Sequence, residues 1–400
     1  MNRKNVSQAV LSRGQGVAEA PPAEKPEGAS KTKTPLQKNS VKFWSRKASR
    51  PTYEIVGELE RFDERNNIFA RAALVPGSET YNAYYAAHPE LEEKDRLIRI
   101  FRGSAIEGKQ RDGVFSSDPI ALAFSYTYRV GQFLGDRVDG PVKETKVEAD
   151  PVKMAATIKG AAHFFGADKV GICRLNPAWV YSHKGRALFG DVEWGDPVEQ
   201  NHRYAITMGF AHTWDMLSAG KEPSLSSGIE SQELYGVMAT AGVRLASFIR
   251  AMGYPARAHH VGNYQILQVP IAIDAGLGEL GRMGFLVTKE YGPSLRLVTV
   301  TTDLPMAVDQ PVDIGMQDFC EKCKKCAYTC PTGAVPEEGK IEVRGALKWQ
   351  IDPNKCYRFW HVRGGVSCNV CMCVCPWTKP RNIFHRFNSE LAARFSFLRS

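Results

Sequence analysis

Long apolar runs are missing from this 400-residue chain. No stretch of 18 apolar residues occurs, so no transmembrane helix is encoded. No secretory hydrophobic region stands near the start. Asn2-Arg3-Lys4-Asn5 echoes a twin-arginine signal without an apolar stretch behind it, so the chain as written is expected in the cytoplasm. Familiar catalytic signatures are absent too: there is no P-loop, G-x-S-x-G or H-E-x-x-H, and no D-x-H-x-x-G cobalamin motif, since His259-His260 lacks the aspartate. Charge of one sign is scarce outside a short arm. Residues 1–50 carry eleven Lys/Arg against three Asp/Glu, and the remaining 350 carry 41 against 40. The formal +9 is therefore a property of a basic, Pro/Ser/Ala-rich arm, read as disordered. A body this close to neutral offers no broad basic surface, and no nucleic-acid partner is expected.

Thiol density is what the chain does have. Nine of its ten cysteines fall between Cys320 and Cys375. Cys320-x2-Cys323-x2-Cys326-x3-Cys330-Pro331 is the spacing of bacterial ferredoxins, whose fourth cysteine ligates the other cluster of a pair. One such motif predicts a second. It arrives as Cys368-x2-Cys371-x3-Cys375-Pro376, one ligand short, with Cys356 upstream to complete it. Cluster 1 then takes Cys320, Cys323, Cys326 and Cys375; cluster 2 takes Cys330, Cys356, Cys368 and Cys371. Eight thiolates make two [4Fe–4S] sites. Zinc suits thiolates as well, but zinc ribbons do not need a third cysteine at x2 followed by Cys-Pro. A disulfide framework fits small secreted domains rather than one dense patch in a long chain. Cys173, among apolar neighbours, reads as a small buried residue. Cys373 reads as a spare thiol, with an alternative ligand or an oxidation-prone site as the other readings.

The rest of the chain reads as α+β. Residues 1–50 form the arm and 51–150 an N-terminal unit without nameable chemistry. A larger domain spans 151–312, the cluster module 313–384 and a tail 385–400. Tyr53–Gly57 and Phe69–Val75 read as short strands; Glu79–Leu91, Ser117–Leu134 and Thr145–Phe165 read as helices. Lys169–Cys173, Arg203–Ala211, Gln265–Val269, Phe285–Thr288 and Leu295–Val300 read as strands. Between them, Ser227–Gly253 is a helix whose stripe is Leu234, Met238, Ala241, Leu245, Phe248 and Met252. Beside that stripe run Tyr235, Ala239, Gly242 and Ala246, small enough for a flat group, or a neighbouring element, to lie close. Gly276-x-Gly278-x-x-Gly281 has a dinucleotide-binding look but is followed by apparent strand, which Rossmann glycines are not.

From about Tyr53 to Arg381 the chain resembles the catalytic subunit of corrinoid reductive dehalogenases. The resemblance rests on His163–Leu175, Leu234-Tyr-Gly-Val-Met238, Phe248–Ala256, Asp274–Gly284, Thr302–Pro305, Lys355–Trp360 and Cys371–Trp377. It implies base-off cobalamin, without a histidine ligand, in a nitroreductase-like core followed by a ferredoxin-like module. It implies removal of halide from a small organohalide and its replacement by a proton. The expected partners are an electron donor protein or quinol-linked system and a small membrane-anchor subunit. A twin-arginine signal already removed would place the protein on the exported side of a membrane instead. A proton donor is needed above the cobalt. A tyrosine hydroxyl titrates near about 10 in water and stays protonated at neutral pH. The phenolate it leaves is favoured by a cation within ~4–6 Å. The resemblance assigns Tyr235 as donor; Arg296 is the candidate cation, and Asn263 a further candidate. Ala239, Gly242, Gly276 and Gly278 are candidates for contacting the corrinoid. Two other functions compete. Epoxyqueuosine reductase shares corrinoid and clusters but acts on tRNA. A non-catalytic iron–sulfur carrier would leave Tyr235 and the glycine loops unexplained.

Overall fold

The computed structural model describes residues 46–102, 131–148, 150–186, 193–218, 225–261, 263–362, 368–380 and 382–395. The arm before residue 46 and most of the helix expected over Ser117–Leu134 lie outside the described residues. Trp44–Ser400 form one compact unit.

Its centre is an antiparallel sheet of four strands: β1 (Lys169–Arg174), β2 (Tyr204–Ala211), β3 (Ala256–His259) and β4 (Leu295–Thr302), in the order β1-β2-β4-β3. Register sets one face. Ile172 opposes Ile206, Ile206 opposes Val300 and Val300 opposes Ala258, and all four side chains are fully buried. Against this row pack α1 (Pro151–Phe164) and α2 (Leu225–Ala251), through Ile158 and Ala162 of the first and Met238, Ala241, Leu245 and Ile249 of the second. A third helix, α3 (Gln268–Asp274), covers the other face through Ile271, Ala272 and Ile273. That face is partly polar: Thr207, Thr299 and Thr301 are fully buried and satisfied by one another, by Gln268, and by His202 and His259. A sheet covered on both faces makes an α+β core, as the sequence predicts.

The cluster region follows β4. Helices Met316–Cys323 and Lys325–Tyr328 carry the first cysteine run, and Pro353–Val362 and Val370–Val374 carry the second. The N-terminal residues clamp this region. Glu54–Ile55 adds a third strand to the hairpin Ile341–Val343/Ala346–Lys348, and helix Pro89–Arg102 packs on Pro353–Val362. At that seam Asp95, with no exposed surface, takes two hydrogen bonds from Arg71 at 2.9 and 3.2 Å, one from Tyr85 and one from Asn354. Such a buried ion pair would be costly if any partner were removed. The chemistry-free N-terminal unit thus holds the helix that bears Cys356.

Several expected elements differ. Phe69–Val75 is not a strand: Asn67 caps a short helix at Ile68–Arg71. Gln265–Val269 is not one either. Only Ile266 bridges, to Val180, and the apolar run after it is α3; a short buried apolar run has no period to tell helix from strand. Glu79–Leu91 divides at His88, because Pro89 starts a second helix. Helix α1 begins at Pro151 rather than Thr145, with Asp150 capping Lys153 N–H. Phe248 is 37% exposed, and Ile249 takes its place in the α2 stripe. The expected tail contains helix Ile383–Arg394, capped by Asn382.

Candidate functional site

Helix α2 presents Ser231 and Tyr235 one turn apart, on the same face. Arg296 is the second residue of β4, and its guanidinium spans both: Nη1 donates to Tyr235 Oη at 3.0 Å and Nη2 to Ser231 Oγ at 3.0 Å. The guanidinium also lies 5.1 Å from the centre of the Tyr235 ring. Only arginine's planar fork can serve two oxygens a helical turn apart. His212, buried just beyond β2, lies close enough to Arg296 to feel its charge. Its pKa falls to about 3, through burial first and Arg296 second, so the imidazole is neutral. Arg296 Nε, and Gln232 Oε1 on the residue of α2 that follows Ser231, are buried without a hydrogen-bond partner among the described residues. Gly236, next to Tyr235, has open space where a Cβ would stand.

The other site residues expected from sequence are placed elsewhere. Asn263 accepts from Arg257 Nη2 at 2.8 Å and donates to Gly135 O at 3.2 Å. Arg257 in turn pairs with Asp139. No described hydrogen bond joins this network to Tyr235. The small residues are occupied by the protein itself. A Cβ on Gly242 would stand 2.8 Å from Val298, one on Gly276 2.3 Å from Gln310 O and one on Gly278 2.2 Å from Val287 O. Ala239 is fully buried, against Gly131. Packing within the chain accounts for all four. Gly276 and Gly278 lead into strand Glu279–Leu280, which no Rossmann turn does.

The cysteines gather as the spacing predicts. Cys375 lies among Cys320, Cys323 and Cys326, whose charges raise its pKa beyond the effect of burial. Cys371 lies among Cys356, Cys368 and Cys330, with Cys326 also near. Cys330, Cys356, Cys368 and Cys371 line one cavity, walled by Met283, Phe285 and Ile351. Burial pushes the thiols up, Cys320 and Cys356 to about 12 and Cys326 to about 11. Burial raises Cys330 too, but hydrogen bonds from Thr332 and backbone N–H groups outweigh it and hold that thiol below its usual range. Crowded buried thiolates need a compensating positive charge, which iron supplies. Among the described residues no three or more His, Cys, Asp or Glu gather tightly enough for a single metal ion. The quartet spread around that cavity suits a cube rather than one zinc. Cys373 stays outside both quartets, donating to Leu217 O at 2.9 Å. Cys173 is buried against Ile271 O.

Residues 319–379 match the family described as a 4Fe-4S dicluster domain. Tetrachloroethene reductive dehalogenase of Sulfurospirillum multivorans is 37% identical over 263 residues, 58% of this chain and 51% of that one. The chain is similar to the reductive dehalogenases in sequence. Its fold agrees: the catabolic reductive dehalogenase NpRdhA, solved with 3-bromo-4-hydroxybenzoic acid, superposes with a TM-score of 0.73 at 28% identity, covering 89% of this chain and 47% of that one. A reductive dehalogenase structure described as suggesting a mechanism for B12-dependent dehalogenation gives a TM-score of 0.71 at 27% identity, with the same coverage. Epoxyqueuosine reductase of Aliivibrio fischeri is a more distant relative, 31% identical over 170 residues. The chain spans about half the length of the curated relatives it matches. Sequence reasoning missed Ser231, Gln232 and His212; Ser231 was findable, since it lies four residues before Tyr235 on a helix.

Proposed function

We propose that the chain is a cobalamin-dependent reductive dehalogenase whose two [4Fe–4S] clusters feed electrons to an organohalide. The observation that carries this reading is the hydrogen bond from Arg296 Nη1 to Tyr235 Oη, 3.0 Å, on a fold that also holds two cysteine quartets. The overall change balances as an organohalide plus two electrons and one proton giving the hydrocarbon and halide. A single-electron carrier pair suits such a two-electron demand.

The residues present fit a corrinoid. Gln232 and the Tyr235 face of α2 offer the orphaned polar atoms and open space such a ligand needs. His202 and His259 are engaged with Thr301, and His260 with Leu134 O. Bound cobalamin supplies the reducing centre that cleaves the carbon–halogen bond. Tyr235 gives its hydroxyl proton to the carbon. Arg296 stabilises the phenolate left behind, by charge and by the hydrogen bond already in place. Ser231 fixes the other arm of the guanidinium, so no reorganisation is needed as charge develops. Neutral His212 adds no second cation beside Arg296. Cys320, Cys323, Cys326 and Cys375 hold one cluster; Cys330, Cys356, Cys368 and Cys371 hold the other. An external donor, a protein or a quinol-linked system, supplies the electrons. A small membrane-anchor subunit is the proposed further partner. Among the described residues no helix is long and apolar enough to cross a membrane.

The test is anaerobic reconstitution with iron, sulfide and cobalamin, followed by a halide-release screen over aryl and alkenyl halides with a low-potential dye. Halide release that requires both cofactors supports the reading. Failure to bind cobalamin, or tRNA epoxyqueuosine turnover without dehalogenation, would overturn it.

A further inference from the structure

Arg282 sits at the tip of the hairpin Glu279–Leu280/Leu286–Val287, one of the largest fully buried side chains, with no exposed surface. Its fork is held by the backbone of the cluster region. Nε donates to Cys320 O at 3.0 Å, and Nη1 to Pro336 O at 3.0 Å and to Glu338 O at 2.6 Å. The guanidinium lies 4.9 Å from the ring centre of Trp349, itself buried. The charge of Arg282 acts on both Cys320 and Cys326. Carbonyl oxygens are dipoles, not anions. Among the described residues the carboxylate in reach is that of Glu321, 3.8 Å away and 55% exposed, where water screens it. A buried cation without a buried counter-ion is costly unless something nearby needs it. A thiolate-ligated iron cube does: its net charge is negative and grows by one on each reduction.

We propose that Arg282 tunes the cluster held by Cys320, Cys323, Cys326 and Cys375, its fixed charge stabilising the reduced state and raising that cluster's reduction potential. This rests on the iron–sulfur part of the reading above and not on the corrinoid. Cluster potentials respond to nearby charge and to hydrogen bonds at the sulfurs. Arginine suits the role because it cannot lose its proton, and its five donors tie the charge to the carbonyls of Cys320, Glu321, Pro336 and Glu338. Arg282 is a positioning and tuning residue; it does not touch the Tyr235 site in any described contact.

The experiment is a redox titration of the full chain, reconstituted with iron and sulfide but without cobalamin, followed by EPR of the reduced clusters. Arg282→Gln is expected to load both clusters and to move one midpoint to lower potential while the other stays. The expected size is on the order of a tenfold drop in the reduced-to-oxidised ratio at fixed potential, for one charge removed at an effective dielectric of ~20. Arg282→Lys, which keeps the charge, is expected to stay near the unsubstituted chain. Unchanged potentials in Arg282→Gln overturn the proposal. So does an equal shift in Lys and Gln, which would make geometry the cause, and so does loss of the cluster from Arg282→Gln, which would make Arg282 an anchor only. None of these outcomes depends on dehalogenation, so a failed halide screen and a failed titration remain distinguishable.

Discussion

Arg296 on β4 and Tyr235 on α2, 61 residues apart in the chain, share a hydrogen bond of 3.0 Å, and Ser231 takes the other arm of the same guanidinium. The helix supplies both oxygens and the sheet supplies the cation. Because α2 packs on the sheet through Gly242 and Val298, the spacing between them is set by the core. The first expectations concern this pair.

Tyr235→Phe is expected to keep eight irons and cobalamin and to lose turnover by about 10²–10⁴-fold, the range for losing a positioned proton donor. Corrin absorbance, iron analysis and halide release on one preparation check this. Unchanged halide release would remove Tyr235 from the mechanism.

Arg296→Lys keeps a cation but cannot serve Tyr235 and Ser231 together. Activity is expected to fall about 10–10²-fold, and Arg296→Met to fall further. Ser231→Ala, which frees one arm only, should fall least. Equal activity in all three variants would show that the guanidinium plays no part in turnover.

Acid sensitivity follows from the buried histidines. Burial holds His260 at about 4 and His212 at about 3, against 6.5 for the free side chain. Each is neutral in the fold and protonated in the unfolded chain between those values. The unfolded state then binds more protons, so stability is full above about 6.5 and falls with pH below it. Each histidine contributes about 1.4 kcal/mol per pH unit. Thermal unfolding from pH 7 to 4 checks the slope. His260→Gln should flatten it, and a flat profile in the unsubstituted chain would contradict the burial.

Glycine substitutions separate packing from open space. Gly278→Ala places a Cβ 2.2 Å from the backbone oxygen of Val287, which cannot move without breaking the short hairpin. A loss of about 1–3 kcal/mol or more is expected in denaturant unfolding. Gly236→Ala meets nothing in the fold and should stabilise α2 by about 0.5–1 kcal/mol. If that open space belongs to the corrinoid, the same variant should bind cobalamin less tightly.

Cys356→Ser is expected to lose about half the iron, and Cys373→Ser to keep it all, because Cys373 faces Leu217 O and not a quartet. Loss of iron from Cys373→Ser would move that thiol into a ligand set.

The iron–sulfur half of the protein was legible in its sequence, because ligand spacing within a few residues is local information and a cube fixes where its thiolates must stand. Three strands of the central sheet were legible too, because Lys169–Cys173, Arg203–Ala211 and Leu295–Val300 are apolar runs of strand length; the fourth, β3 at Ala256–His259, is short and carries two polar residues, and it went unread. Run length alone was not always enough, as Gln265–Val269 shows by ending in a helix. Tertiary structure alone decided the rest. Whether Gly242 faces a cofactor or Val298, whether Asn263 joins Tyr235 or Arg257, and whether Arg282 meets solvent or a cysteine loop all depend on contacts between distant segments. Packing forms those contacts only once the core has closed, so no local pattern carries them.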